Sequence, residues 1–211
     1  MKVLVVGGHS HYASWILRDI ELLDPTIENV KLCDLIILPG GADVNPNVYG
    51  HKRSSRTYFD DNSDKMEMDF YKAAKSCGIP IVGICKGAQM ITALQKGGCL
   101  MQHVTGHANG SSHQIFFEDG DNAIATSTHH QMMYPFNVPG YELIAWAEEL
   151  SDIYEYNGNN TTPTMPGHKE PEIVYYSNTQ ALAIQPHPEM MSKASRLVVK
   201  LNDLLKEKFN L

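Results

Sequence analysis

The residues best placed to do chemistry stand in Ile81-Val82-Gly83-Ile84-Cys85-Lys86-Gly87-Ala88-Gln89, where an apolar run enters Gly-x-Cys-x-Gly and continues into Met90, Ile91, Ala93 and Leu94. Glycines two residues to either side of a cysteine permit a sharp strand-to-helix turn that lifts the intervening side chain out of a sheet. At a helix N-terminus, partial positive charge favours the thiolate, the nucleophilic form of cysteine. Taken alone, the same motif also suits a structural cysteine at a tight turn. Cys33, Cys77 and Cys99 lack the flanking glycines and read as structural thiols. A thiolate nucleophile needs an imidazole to move protons and a third group to orient that imidazole. Gln185-Pro186-His187-Pro188-Glu189 supplies both. Its prolines hold His187 extended, and residues two apart in extended backbone point the same way, so Glu189 can reach His187. Cys85, His187 and Glu189 therefore read as a catalytic triad, with Gln89, in the first turn of the helix, set against the substrate or hydrogen-bonded to the neighbouring turn.

The elements that must position these residues follow an α/β pattern. Val3–Val6, Leu35–Leu38, Ile79–Ile84 and Ala181–Ile184 are nearly continuous apolar runs, as expected of parallel strands buried on both faces. The runs ending at Cys85 and before His187 bring both residues to the carboxyl edge of one sheet, where open α/β sheets bind ligands. A helix is expected over Ser63–Cys77, with Met66, Phe70, Ala73, Ala74 and Cys77 on its inner face, and another from Ser192 to about Phe209. Gly7-Gly8-His9-Ser10-His11 follows a strand and precedes a further helix, without the glycine spacing or lysine of a nucleotide loop. Cys99 to about Tyr176 reads as antiparallel, through Glu142–Trp146 and Asp152–Tyr156, and Asn157–Pro171 as a long mobile surface loop.

The chain has 211 residues, enough for one substantial core, and residues 1–211 read as a single domain. A formal charge of -7 with no dense Lys/Arg run argues against nucleic acid and anionic membranes as partners and for a small-molecule substrate. Val3–Val6 meets Gly7-Gly8 too early for a signal-peptide core, and no apolar run approaches the roughly 20 residues that span a bilayer. A cytoplasmic protein with four reduced cysteines is expected. His103, His107 and His113 invite a metal reading, but Gly106 and Gly110-Ser111-Ser112 place them in loop without the fixed geometry of a zinc site. Neither metal nor cofactor is expected.

With both motifs in view, the sequence resembles the class I glutamine amidotransferase superfamily, in which a Gly-x-Cys-x-Gly-x-Gln elbow joins a downstream His-Pro-Glu. The resemblance extends over Leu38-Pro39-Gly40-Gly41-Ala42-Asp43, Gly97-Gly98, Gln102 and Ser127-Thr128-His129-His130-Gln131. It departs at Lys86, where arginine or an apolar residue is frequent, and at Pro186, where an aromatic residue often precedes the histidine. It implies a flavodoxin-like, doubly wound, mostly parallel sheet with helices on both faces and a smaller antiparallel section. It implies an oxyanion hole from the backbone N–H groups of Gly41 and Lys86, and a substrate wall including Ser127 and His129. The implied activity is a glutaminase that releases ammonia from glutamine through a cysteine thioester, for a synthetase partner where one exists. Asp43-Val44-Asn45-Pro46, Tyr49 and the Ser127–Gln131 run are similar to the superfamily's other branch, the stand-alone γ-glutamyl hydrolases. An inactive binding module would have lost a triad member, and an α/β-hydrolase would place its acid well before the histidine.

Overall fold

The computed structural model describes residues 1–108 and 110–211. Strand β1 (Lys2–Val5) leads through short 3₁₀ turns to β2 (Glu21–Leu23) and then β3 (Leu35–Leu38). The helix expected after Gly7-Gly8 is reduced to a 3₁₀ turn over Ser10–Ala13. Helix α1 (Asp61–Cys77) begins two residues before its expected start. Asp60 is the cap, its carboxylate accepting from Asn62 and Ser63 N–H, and Gly78 closes it in the left-handed conformation. Strand β4 (Ile81–Ile84) and helix α2 (Lys86–Ala93) form the elbow, and every residue of α2 is buried.

An antiparallel section follows: β5 (Cys99–Met101), β6 (His103–Val104), β7 (Ser111–Phe117), β8 (Asn122–Ser127), β9 (Met132–Tyr134), β10 (Tyr141–Glu148), β11 (Tyr154–Tyr156), β12 (Asn160–Thr162) and β13 (Lys169–Tyr176). The chain then returns through β14 (Ala181–Ile184) to α3 (Arg196–Phe209), which starts four residues later than Ser192 and is capped by the Ser195 hydroxyl.

Among the described residues the main sheet runs β2-β1-β3-β4-β14-β13-β10-β7-β8, parallel as far as β14 and antiparallel beyond it. Alternation along β1 sends Val3 and Val5 to the core beneath α3, and Leu4 to the core beneath α1 and α2, so both faces are covered. This is the expected α/β architecture, with a larger antiparallel share than the sequence suggested. Its outer half is coiled. In a flat sheet β8 would lie roughly 19 Å from β14, four strand spacings away, yet Thr126 Oγ1 of β8 accepts from the His187 N–H just past β14 at 2.7 Å.

The stretch expected to be a mobile loop is largely structured. Tyr154–Tyr156 pairs with Asn160–Thr162 in a hairpin that also joins β6, and Lys169–Pro171 begins β13. Asn157 and Gly158 turn the hairpin at φ 45° and 85°, a pairing of residue types that tolerates this backbone.

Candidate active site

The parallel register of β4 and β14 sets Ile84 beside Ile184, and the Cys85 N–H donates to the Ile184 carbonyl at 2.8 Å. Cys85 therefore leaves the sheet beside Gln185, and His187 follows two residues on. Cys85 itself is held at φ 50° and ψ -106° as the cap of α2, a conformation that costs a non-glycine residue on the order of 1–3 kcal/mol. The flanking glycines make it feasible. A β-carbon on Gly83 would collide with the Gly87 carbonyl, and one on Gly87 with the Leu38 carbonyl, so strand, helix and the β3 terminus pack backbone to backbone.

The Cys85 thiol interacts electrostatically with the His187 imidazole, whose Nδ1 is 2.6 Å from Glu189 Oε1. Burial opposes an imidazolium at His187, but the interactions with Cys85 and Glu189 outweigh it and raise the group to about 10. The backbone N–H bond to Thr126 fixes the ring's origin, and the absent Gly40 side chain leaves room for it: a β-carbon there would come within 2.9 Å of His187 Cε1 and 2.8 Å of the Tyr12 hydroxyl.

Beside Cys85 is a cavity of about 240 Å³ walled by Gly41, Ala42, Asp43, Tyr58, Gln89, Thr128, His129, His130 and Gln131. Lys86 opens α2, so its N–H has no acceptor within the helix, and Gly41 lies against the same residue, its missing β-carbon 3.1 Å from Lys86 Cδ. Gln89 reaches the cavity, though its amide also donates to the Gln131 carbonyl at 3.0 Å. Ser127, expected at the wall, is fully buried, and its hydroxyl donates to the His107 carbonyl at 3.0 Å; β8 ends there and the turn brings Thr128 to the cavity instead. His129 is at the wall, its Nδ1 2.8 Å from the Gln131 carbonyl. The sequence reading missed Tyr58 and His130 as wall residues. His130 pairs with Asp43 at 3.0 Å, which raises its imidazole, and only its place beside His129 hinted at this role. Larger hollows of about 470 and 630 Å³ lie elsewhere, with Cys85 in neither wall.

Lys86 contributes more than a backbone N–H. Its ammonium is buried and sits 2.8 Å from Asp64 Oδ1, Glu67 Oε1 and Ser63 Oγ. This overturns the expected inner face of α1: Asp64 and Glu67 face inward with Phe70, Tyr71 and Ala74, whereas Met66 is 38% exposed and Cys77 is at the surface. Two carboxylates on successive turns meet the cation that the elbow buries. Burial pushes Glu67 up to about 7 against the opposing pull of Lys86. An acid raised in the folded state favours folding fully below its unfolded value near 4.5, and that contribution is lost as pH rises through about 7. Glu67→Gln is expected to flatten the decline in stability across this window, measured as the urea midpoint at successive pH values.

Residues 12–148 match the Peptidase C26 family. The glutamine amidotransferase-like protein YvdE of Lactococcus lactis subsp. lactis is 35% identical over 178 residues, covering 77% of this chain and 70% of the relative. The chain belongs to the Peptidase C26 family. A second glutamine amidotransferase-like relative, from Mycobacterium tuberculosis, is 26% identical over 187 residues, 80% of this chain and 54% of its own length. Among solved structures, a glutamine amidotransferase from Thermotoga maritima superposes with TM-score 0.58 at 14% identity, over 99% of this chain and 85% of that one. The CTPS glutaminase domain of Trypanosoma brucei, with bound acivicin, gives TM-score 0.57 at 12% identity over 97% and 92%. At these identities the likeness is one of fold, and it agrees with the class I glutamine amidotransferase resemblance carried by the elbow and His-Pro-Glu. No described helix of this Peptidase C26 member is long and apolar enough to cross a membrane.

Proposed function

We propose that this chain is a glutaminase of the glutamine amidotransferase type, with residues 1–211 acting as one catalytic unit. The observation that carries this reading is the strained Cys85 at a helix N-terminus, interacting with an imidazole that is bonded to Glu189. The Cys85 thiolate attacks the side-chain carbonyl carbon of glutamine, and the resulting oxyanion is met by the N–H groups of Gly41 and Lys86. The C–N bond breaks as His187 protonates the departing ammonia, leaving a γ-glutamyl thioester. Water then attacks the thioester while His187 takes its proton, releasing glutamate and the free thiol. Asp43 and His130 at the wall offer opposite charges to the amino and carboxylate groups of the substrate. Ammonia passes to a synthetase partner or to solvent.

The cavity volume of about 240 Å³, below the roughly 300–1,000 Å³ of sites for drug-sized ligands, suits a glutamyl group. A second reading, a stand-alone γ-glutamyl hydrolase, is favoured by the peptidase family itself and by Asp43-Val44-Asn45-Pro46. Glutamine, γ-glutamyl-aminobutyrate and a γ-glutamyl peptide assayed side by side separate the two, with the highest kcat/KM expected for glutamine. Turnover of the larger amides alone would assign the second reading. No turnover, with a Cys85 that resists a glutamine-analogue electrophile, would leave a binding module.

A further inference from the structure

Five ionisable side chains occupy the interior of the coiled antiparallel half. Glu170 and Glu172, two apart on β13, are fully buried. His107 follows β6, His113 lies in β7 and His129 follows β8. Glu170 is well supplied: it accepts from the Ser151 N–H at 3.0 Å, the Leu150 N–H at 3.1 Å and the Tyr154 hydroxyl at 2.8 Å, and lies 2.7 Å from His107 Nε2. Glu172 is not. Its Oε1 is approached by His113 Nε2 at 2.9 Å, His107 Nδ1 at 3.5 Å and His129 Nε2 at 3.8 Å. The last two are too long to bond well, and among the described residues His107 Nδ1, His129 Nε2 and Glu172 Oε2 are buried without hydrogen-bond partners. A buried polar group without a partner is destabilising, so three converging on one point mark a place built to hold something.

The remote nitrogens say what. His107 Nε2 bonds Glu170 and His129 Nδ1 bonds the Gln131 carbonyl, contacts that fix each ring so that its other nitrogen presents a lone pair inward. The inward atoms of His107, His129 and Glu172 lie within 4.8 Å of one another, close enough for small side-chain rotations to bring each to the roughly 2 Å of a zinc bond. We propose that His107 Nδ1, His129 Nε2 and a Glu172 oxygen bind a divalent transition-metal ion, taken as zinc because two imidazoles and a glutamate form a zinc donor set, with His113 orienting the Glu172 carboxylate. Because His129 and Gln131 also wall the cavity beside Cys85, the ion braces that wall from behind. This site departs from the expectation of no metal drawn from the sequence, and it stands whether or not the chain is a glutaminase.

The test uses the full chain purified without a metal-affinity tag. Elemental analysis is expected to find about one zinc ion per chain, and a chelator should lower Tm by several degrees, restored by added Zn²⁺. Cobalt added to the chelated wild type should give the visible bands of a low-coordinate nitrogen and oxygen site, a readout that does not depend on any variant folding. His107→Ala and Glu172→Gln should lose the ion. Absence of zinc from the wild type with no cobalt spectrum and no Tm response, or equal retention by a folded His107→Ala, would overturn the proposal.

Discussion

Replacing Cys85 with glycine is expected to abolish turnover and yet make the protein more stable. In a nucleophile-base system, loss of the nucleophile removes on the order of 10⁵–10⁶-fold of the rate. Stability should move the other way, because glycine adopts φ 50° without the penalty that cysteine bears there. Relief of on the order of 1–3 kcal/mol of strain is partly offset by glycine's greater freedom when unfolded, about 0.5–1 kcal/mol, and by lost thiol packing. A net gain of about 1 kcal/mol remains, which in a chain of this size raises Tm by about 2–4 °C. Cys85→Ala removes the thiol but keeps the β-carbon and its strain, so it should be equally inactive without the gain. Thermal melts of the two variants beside the wild type check this, and a Cys85→Gly chain less stable than Cys85→Ala would show that the elbow is not strained as described.

Glu189→Gln is expected to lower kcat by about 10³–10⁴-fold while leaving the fold intact. The carboxylate accepts a proton-bearing Nδ1 from His187 at 2.6 Å, which leaves Nε2 to exchange protons at Cys85. A glutamine amide can turn its NH₂ toward Nδ1 and hold the imidazole in the opposite tautomer. The pH profile distinguishes this from loss of structure. His187 is raised to about 10 by Cys85 and Glu189 against the effect of burial, so its contribution to stability is complete below its ordinary value of 6.5 and lost as pH rises through about 10. The alkaline limb of kcat/KM, where the imidazolium needed by the departing ammonia disappears, should shift to lower pH in Glu189→Gln. A limb that stays in place would assign it to another group.

The features legible in the sequence were those whose physics is local. The elbow could be read because Gly83 and Gly87 lie two residues from Cys85, and His-Pro-Glu because alternation in extended backbone needs only three residues. Strands β3 and β14 were read to the residue, since burial on both faces leaves an unbroken apolar run. Asp64 and Glu67 were not, because inward carboxylates on a helix become intelligible only when a cation from a distant turn is known to meet them. Lys86 was noted as an unusual residue, but neither its burial nor its partners could be inferred. His107, His113, His129 and Glu172 come from four segments that meet only when the sheet coils, and hydropathy carries no signal for that curl. The Asn157-Gly158 turn was readable in principle, yet the Asn, Thr and Pro around it weighed toward loop.

The distance between Cys85 and His187 is set by the pairing of β4 with β14, two adjacent parallel strands, and so by a spacing of about 4.8 Å common to all sheets. No loop length enters it. Everything between α2 and β14, from Cys99 to Tyr176, is an excursion that leaves the reactive pair and returns to it. That excursion supplies Thr128, His129, His130 and Gln131 to the cavity. That part of the wall can therefore vary between relatives without altering the strand pairing that sets Cys85 against His187, provided the hydroxyl at position 126 that holds the His187 N–H is kept.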